Sequence, residues 1–266
     1  MQDRDIEPFY FGTPERRLLG LYHPAKGNHY PKCGVVLCYP MAREYLLAHR
    51  SFRQLAGRLS QAGFPVVRFD FSACGDSYGT SEEGNLQQWL GDISIAVAEM
   101  RKRAAVRKIC LVGLRLGATL ALRSALERSD IDSIVLWNPV VSGKSFVQEM
   151  RSFHRTIFKH LQVGDPDAGE EEIGVLGFRL TDSMRTDLEM IDLYAIDKRP
   201  AAKVLVIHSE KQQEGESFAR HLTGTGARVD SKFVPFAPVW TEGIFRSHVP
   251  APVLASIVSW ISEVNA

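Results

Sequence analysis

Short apolar runs rich in β-branched residues recur along this chain, separated by longer segments whose apolar positions repeat every three or four residues. The runs predict buried strands, and the longer segments predict amphipathic helices. Because strands and helices alternate, we expect an α/β fold with a mostly parallel sheet of about eight strands and helices on both faces. The first two strands are expected to form an antiparallel hairpin. The predicted strands have the sequences EPFYF, RRLLGLYH, CGVVLCY, PVVRFDF, KICLV, IDSIVLW, AKVLVIH and ARVDSKFVPF.

The alternation is interrupted once, after the sixth predicted strand. Residues 141–198 contain a basic amphipathic helix, an acidic turn, a short apolar stretch and a helix that begins near Thr181. We expect this segment to be a helical lid inserted above the sheet, and residues 1–140 and 199–266 to form the core. Ligands of open α/β sheets bind beyond the carboxyl ends of the strands. Functional residues are therefore expected in the loops that follow those ends.

Composition and charge exclude several kinds of protein. The chain has 266 residues, of which 45% are hydrophobic, so it can bury a sizeable core. Its 32 basic and 31 acidic residues nearly cancel, which leaves no overall field to attract nucleic acid or an anionic membrane. We also expect no membrane insertion and no signal peptide, because no apolar stretch has the necessary length.

The cysteines lack the paired spacing of a zinc site or a redox motif, and most of them fall in or beside predicted strands. We therefore expect buried thiols in a reducing cytoplasm. The histidines also lack metal-ligand spacing with acidic or cysteine partners. Neither a metal nor another cofactor is expected.

The segment Gly113–Ala118, with the sequence GLRLGA, predicts a tight turn between a buried strand and a helix of small residues. A turn of this kind, a nucleophile elbow, presents a catalytic side chain at its centre. The central residue here is Arg115, whose guanidinium stays protonated and cannot attack a carbonyl. We therefore expect no acyl-enzyme at this turn.

The chain resembles the α/β-hydrolase superfamily, and within it the serine-aminopeptidase-like group of exosortase-system-associated hydrolases. The resemblance is carried by Ala62–Gly79 (AGFPVVRFDFSACGDSYG), by Gly113–Ala118 and by Leu136–Gly143 (LWNPVVSG). The order of elements extends it over nearly the whole chain. It implies the α/β-hydrolase fold and a hydrolase ancestry, while the function must be argued from the site itself.

The family's Ser-His-Asp triad is degenerate in this sequence. The resemblance puts the nucleophile at Arg115 and the histidine at His248, in the last loop before the terminal helix. It puts the acid at Gln212 or Gln213, and a second acid position used by some members falls on Asn138. Only the histidine is kept, so His248 is our candidate for a general acid or base.

Arg115 lies where a helix begins, and a cation there is unfavourable unless an anion is close. Glu44 is the leading candidate for a partner, and Asp76 and Glu210 are two others. The alternative is a bound carboxylate or phosphate, held by Arg115 together with backbone donors. The two interpretations do not exclude each other. The residues expected to supply those donors are Leu116, Met41 and Tyr39.

Glu44 precedes the first predicted helix, which runs from His49 to Gly63. In the family the corresponding segment is a loop that supplies an oxyanion donor, so we expect Glu44 on a loop. Cys74 lies in another loop at the carboxyl edge of the sheet. It is more simply a packed thiol than a replacement nucleophile paired with His248. Its neighbour Asp76, like Ser77, is expected to hold that loop through bonds to the backbone.

Three functions are compatible with these residues. The first is an enzyme acting on a small acyl, ester, thioester or carboxylate-bearing substrate by a non-serine mechanism, with Arg115 binding an anion or carbonyl and His248 as acid or base. The second is a catalytically inactive binding or scaffold protein. The third is an assembly partner in a biosynthetic or export system, which the resemblance alone implies. A small-molecule ligand is expected throughout, and a homodimer is possible.

Overall fold

The computed structural model describes residues 6–27, 32–161, 173–175, 178–209, 213–236 and 248–265. The strands are β1 (Glu7–Thr13), β2 (Arg16–His23), β3 (Cys33–Cys38), β4 (Val66–Phe69), β5 (Lys108–Leu114), β6 (Ser133–Trp137), β7 (Ile173–Val175), β8 (Phe178–Leu180), β9 (Lys203–His208) and β10 (Arg228–Phe233). The helices are α1 (Ala42–Gln61), α2 (Leu86–Ala104), α3 (Leu116–Leu126), α4 (Gly143–Leu161), α5 (Asp182–Glu189), α6 (Gln213–Gly224) and α7 (Ala251–Val264).

Eight of these strands form one sheet, in the order β1-β2-β4-β3-β5-β6-β9-β10. The pairs β1–β2 and β2–β4 are antiparallel, and all the others are parallel. The predicted mostly parallel sheet and its N-terminal hairpin are thus confirmed. Strands β7 and β8 form a separate antiparallel hairpin.

Both faces of the sheet are covered by apolar cores. Successive residues of a strand point to opposite faces, and every residue of the central strand β3 is buried. Val36 faces the core under α2 and α3, whereas Val35 faces the core under α1 and α7. A strand buried on both faces needs apolar residues at every position. This explains why the central strands read as continuous apolar runs.

Helix α1 begins at Ala42, seven positions earlier than the predicted start at His49. The apolar spacing explains the difference, because the buried Leu47 and Ala48 continue the stripe that includes Phe52. Glu44 therefore lies in the first turn of a helix, and the prediction that it lies on a loop is wrong. An acidic residue in a first turn is favoured by the helix dipole.

Residues 138–202, called here the β6–β9 connection, contain α4, the β7–β8 hairpin, α5 and a short 3-10 helix. The predicted helix near Thr181 begins at Asp182 and is capped by Thr181, whose hydroxyl accepts a bond from the backbone N–H of Met184. Helix α4 starts so close to the end of α5 that a Cβ on Gly143 would lie 1.6 Å from the Leu188 carbonyl oxygen. Apolar side chains of the connection belong to the core cluster under α2 and α3, namely Phe146, Val147, Met150, Met184, Leu188, Ile191 and Leu193.

None of the helices in the described part of the chain is long and apolar enough to cross a membrane.

A buried carboxylate joins the antiparallel edge of the sheet to α2. Asp92 accepts bonds from the Arg16 Nε at 2.9 Å and from the Ser72 backbone N–H at 2.8 Å. The indole N–H of Trp89 donates to the Ser72 carbonyl at 2.9 Å. Burial raises the pKa of Asp92, and the bonds from Ser72 and Arg16 oppose that shift. The network holds the loop after β4 against the helix.

We expect Asp92→Ala to lower the free energy of unfolding by about 2–4 kcal/mol, because it leaves Ser72 and Arg16 without their acceptor. Urea denaturation measures the change. Asp182→Ala is the matched control, since Asp182 is mostly exposed in its pair with Arg185 and should change the free energy of unfolding far less. Equal losses of free energy of unfolding in the two variants would show that the Asp92 network does not stabilise the antiparallel edge of the sheet.

Candidate active site

The turn between β5 and α3 has the backbone of a nucleophile elbow. Arg115 has φ 54° and ψ −123°, a combination that non-glycine residues rarely adopt. A Cβ on Gly113 would lie 2.4 Å from the Ala118 nitrogen, and one on Gly117 would lie 2.2 Å from the Cys38 carbonyl oxygen. Only glycine fits at either position, so the spacing of the two glycines follows directly from the tightness of the turn.

Backbone bonds hold Arg115 in this strained conformation. Its N–H donates to the Trp137 carbonyl at 3.0 Å, and its carbonyl accepts from the N–H groups of Ala118 and Thr119 at 3.0 and 3.2 Å. The Thr119 hydroxyl donates to the Val140 carbonyl at 2.8 Å, which fixes the start of the β6–β9 connection beside α3. The side chain of Arg115 thus projects from a rigid point at the carboxyl edge of the sheet.

Two carboxylates within the described part of the chain contact the guanidinium of Arg115. Its Nε donates to Oε1 of Glu44 in α1 at 3.0 Å, and its Nη2 donates to Oε2 of Glu149 in α4. Its central carbon lies 5.3 Å from the centre of the Phe146 ring. The side chains of Arg115 and Glu44 are 12% and 15% exposed, whereas that of Glu149 is 47% exposed. Arg115 therefore bridges a buried acid and a half-exposed one.

Burial disfavours the charges of this group, and the ion pairs oppose that effect. Burial raises the pKa of Glu44, Arg115 lowers it, and Glu149 raises it further. Burial also opposes the charge of Arg115, but Glu44 and Glu149 outweigh it and raise the pKa of Arg115. The second carboxylate oxygen of Glu44 is buried and has no hydrogen-bond partner among the residues that the structure describes. The site thus combines one permanent cation with two acids that contact different nitrogens of the same guanidinium.

The residues expected to supply oxyanion donors lie around this group. Leu116 is the first residue of α3, and Met41 precedes α1, so both are at helix starts where backbone N–H groups lack acceptors within the helix. Tyr39 is different, because its hydroxyl accepts a bond from Arg68 at 3.2 Å and its ring stacks on Phe52 in the core. At the elbow Tyr39 presents a carbonyl oxygen, which repels an anion rather than binding it.

The loop after β4 is held by Asp70 and Ser77. Asp70 accepts bonds from the Tyr45 hydroxyl at 2.8 Å and from the Asp76 backbone N–H at 3.2 Å. The Ser77 hydroxyl donates to the Asp70 carbonyl at 2.6 Å and accepts from the Leu19 N–H. The side chain of Asp76 is exposed, so Asp76 contributes its backbone to this loop rather than the carboxylate that we expected.

Cys74 lies half-buried in the same loop. Burial, followed by the charges of Asp70 and Asp92, raises the pKa of its thiol to about 12. A nucleophilic cysteine needs the opposite shift, toward the thiolate. The environment of Cys74 therefore favours a packed thiol.

Only some of the other residues predicted to occupy triad positions lie within the described part of the chain. His248 is exposed and lies just before Pro250, the residue that precedes α7. Gln213 is the first residue of α6, while Gln212 and Glu210 lie outside the described residues. Asn138 follows β6 with φ 44°, and its side-chain oxygen accepts a bond from the Ser209 hydroxyl at 3.2 Å. Asn138 is thus tied to the end of β9.

Sequence reasoning missed Glu149, which contacts Arg115 as closely as Glu44 does. One signal was present, because Glu149 is the single acidic residue within Gly143–Leu161, a segment with several basic residues. An isolated acid on a basic amphipathic helix can mark a specific partner. Within the part of the chain that the structure describes, no three His, Cys, Asp or Glu side chains gather as a metal site would require.

The sheet order, the elbow after β5 and the intervening helices together define the chain as an α/β-hydrolase. It belongs to the family described as serine aminopeptidase, S33, whose model matches residues 47–207, more than half of the 266-residue chain. No curated protein sequence matches the chain.

Solved structures of the same fold cover almost the whole chain. Est1E from Butyrivibrio proteoclasticus with ferulic acid bound has a TM-score of 0.69 at 17% identity, covering 96% of this chain and 98% of that one. The proline iminopeptidase of Mycobacterium smegmatis has a TM-score of 0.68 at 12% identity, covering 97% and 99%. The Pyrococcus furiosus esterase Pf2001 has a TM-score of 0.65 at 16% identity, covering 97% and 90%. At these identities the likeness shows the fold alone.

We expect Gly117→Ala to lower the free energy of unfolding by about 3 kcal/mol or more, because the new methyl group meets two backbone carbonyls that cannot move aside. Gly224→Ala is the matched control, since a Cβ there meets nothing within 4 Å at the end of α6. It should leave stability unchanged or raise it by up to about 1 kcal/mol. Urea denaturation compares the two variants, and a tolerated Gly117→Ala would contradict the close approach at the elbow.

Glu44 should make the folded protein less stable as the pH rises. Its pKa is raised in the folded state, so the folded protein holds this proton more tightly than the unfolded chain, whose ordinary value is 4.5. The stability of the wild type relative to Glu44→Gln should therefore fall between pH 4.5 and the higher folded pKa. Denaturant titrations at several pH values measure the difference.

Asp130 provides a control of opposite sign, because bonds from Arg128 and Arg101 lower its pKa to about 2. The contribution of Asp130 to the free energy of unfolding is measured as the difference between the wild type and Asp130→Asn. It should be present above the ordinary pKa of 3.8 and be lost as the pH falls toward 2. A flat difference between the wild type and Glu44→Gln would show that Glu44 ionises normally.

Proposed function

We propose that this chain is a non-acylating member of its family that binds a small acyl or carboxylate-bearing ligand at Arg115. The observation that carries this proposal is the arginine in the elbow conformation, held between Glu44 and Glu149. The guanidinium stays protonated and cannot act as the nucleophile in place of a serine. The elbow positions a cation where relatives of the common fold position a nucleophile.

The chemistry of Arg115 supports a carboxylate as the recognised group. A guanidinium binds carboxylates through parallel N–H donors, more strongly than it binds neutral acceptors. The first residues of α3 add the positive end of a helix dipole at the same point. The neighbour Est1E was solved with ferulic acid bound, and two other neighbours are an esterase and a proline iminopeptidase. These names favour an acyl or acid ligand.

Further parts of the proposal concern the surroundings of the site. We infer that residues 141–198 act as a lid, which the contact between Glu149 of α4 and the elbow supports. We also infer a cytoplasmic location, supported by the free thiols of Cys33, Cys38, Cys74 and Cys110. A homodimer is compatible with this proposal and is not required by it.

A second candidate function is hydrolysis without a serine nucleophile. His248 would activate a water molecule, and Arg115 would polarise the carbonyl of an ester or thioester. The exposure of His248 just before α7 favours this alternative, since a general base must reach solvent and substrate. The charge neutralisation of Arg115 by Glu44 and Glu149 counts against it, because a paired guanidinium polarises a carbonyl less.

Esterase assays separate the two candidates. We expect wild-type protein, Arg115→Ala and His248→Ala to hydrolyse p-nitrophenyl acetate within about twofold of one another, because no group at the elbow forms an acyl-enzyme. A fluorophosphonate probe should leave residues 113–118 unlabelled, as read by mass spectrometry of peptides. Turnover that falls by about a hundredfold or more in both variants would establish the hydrolytic function instead.

A further inference from the structure

The two acids that contact Arg115 differ in ways that separate their roles. Glu44 is largely buried in the first turn of α1 and contacts the guanidinium at Nε. Glu149 is 47% exposed, belongs to α4, and contacts the outer nitrogen Nη2. Removing Glu44 from the cation would leave a buried charge unpaired, which is costly. Glu149 can move into solvent at little cost.

We propose that the carboxylate of Glu149 occupies the subsite for the carboxylate of a ligand, which binds by displacing Glu149 from Nη2 of Arg115. This inference rests on the proposed function. It adds to that proposal the chemical class of the ligand and the identity of the side chain, Glu149, that occupies the subsite when no ligand is bound. The side chain acts as an internal competitor, tethered close to the cation. The ligand restores the same ion pair when Glu149 leaves.

The exchange selects for a particular kind of ligand. A bare carboxylate gains nothing over Glu149, because a tethered group has a high effective concentration. The ligand therefore needs an apolar body as well. Phe146, one helical turn before Glu149, is buried with its ring centre 5.3 Å from the central carbon of the Arg115 guanidinium. It provides apolar surface for the ligand when α4 moves.

The second acid restricts the charge of the ligand. Glu44 remains in contact with Nε of Arg115, and its other oxygen is buried without a partner among the described residues. A dianion placed at Nη2 would be repelled by this neighbour more than a monoanion would. The site is thus suited to an apolar monocarboxylate rather than to a phosphate.

Displacement of Glu149 would also remove one of the contacts between α4 and the elbow and leave that of Phe146. A second contact joins α4 to α1, where the guanidinium of Arg43 lies 4.3 Å from the centre of the Phe153 ring. This stacking keeps the helix attached while the ion pair is exchanged. Ligand binding should consequently loosen the start of α4 rather than detach it.

Titration calorimetry with sodium benzoate tests the proposal, with benzamide and inorganic phosphate as comparison ligands. We expect Glu149→Gln to bind benzoate about tenfold more tightly than the wild type. This factor results if Glu149 occupies the subsite in roughly nine-tenths of the wild-type molecules, because only the rest can then bind benzoate. Benzamide and phosphate should bind neither protein measurably. Glu189→Gln is the matched control, because this half-buried acid pairs with Arg185 in α5 and should leave the affinity unchanged.

A structural measurement gives an independent readout. Benzoate should accelerate hydrogen exchange within residues 143–156 of the wild type, whereas Glu149→Gln should exchange rapidly there without ligand. The double variant Arg115→Gln with Glu149→Gln should bind no benzoate, since the cation is gone. Urea denaturation verifies that each variant remains folded. Glu149→Ala replaces Glu149→Gln in the comparison if the new glutamine side chain still bonds to Arg115.

The possible failures are distinguishable. Equal, Arg115-dependent benzoate affinity in the wild type and Glu149→Gln would overturn the displacement by Glu149 and leave the proposed function standing. Binding that persists in the double variant, or absence of benzoate binding in both Glu149→Gln and Glu149→Ala, would overturn the inference. Ester turnover that depends on Arg115 and His248 would instead contradict the proposed function, whatever the calorimetry shows.

Discussion

The close approach of α3 to the end of β3 is the constraint on which this molecule's site depends. It exists because Gly117 has no side chain to collide with the Cys38 and Tyr39 carbonyls. The approach forces Arg115 into positive φ and aims its side chain across the carboxyl edge of the sheet. Two acids from separate helices, α1 and α4, can then reach one guanidinium. The ion pairs of Arg115 with Glu44 and Glu149 are consequences of this backbone geometry. Because the side chain at the centre of the turn is a guanidinium, the geometry presents a cation at this point.

The surroundings of the elbow combine rigid and adjustable parts. Backbone bonds to Trp137, Ala118 and Thr119 hold Arg115, and the Asp70 and Asp92 networks hold the neighbouring loop. Glu149 is the adjustable part, because half of its side chain is exposed and it belongs to the β6–β9 connection. If Glu149 is displaced as we propose, the site keeps Arg115 preorganised while α4 moves, which would reduce the free-energy cost of binding.

Most of the fold and part of the site could be predicted from the residues alone. Continuous β-branched runs and the spacing of Gly113 and Gly117 reflect local steric requirements, which a sequence displays directly. The need for an anion near Arg115 follows from electrostatics, and Glu44 was a candidate before the structure. Its helical position was missed because the apolar stripe of α1 extends past His49. The contact with Glu149 depends on how α4 crosses the elbow, a tertiary relation that no local pattern encodes.

The pair of acids around Arg115 would also make this turn a poor place for a serine nucleophile. A single replacement of Arg115 by serine would leave Glu44 buried without its cation, beside the point where an oxyanion must develop. Glu149 would add a second negative charge from α4. Each acid would raise the barrier to acylation, so a serine at this turn would need changes at Glu44 and Glu149 as well. Acyl-enzyme chemistry at this turn is therefore a property of several coupled positions and cannot be installed by one side chain.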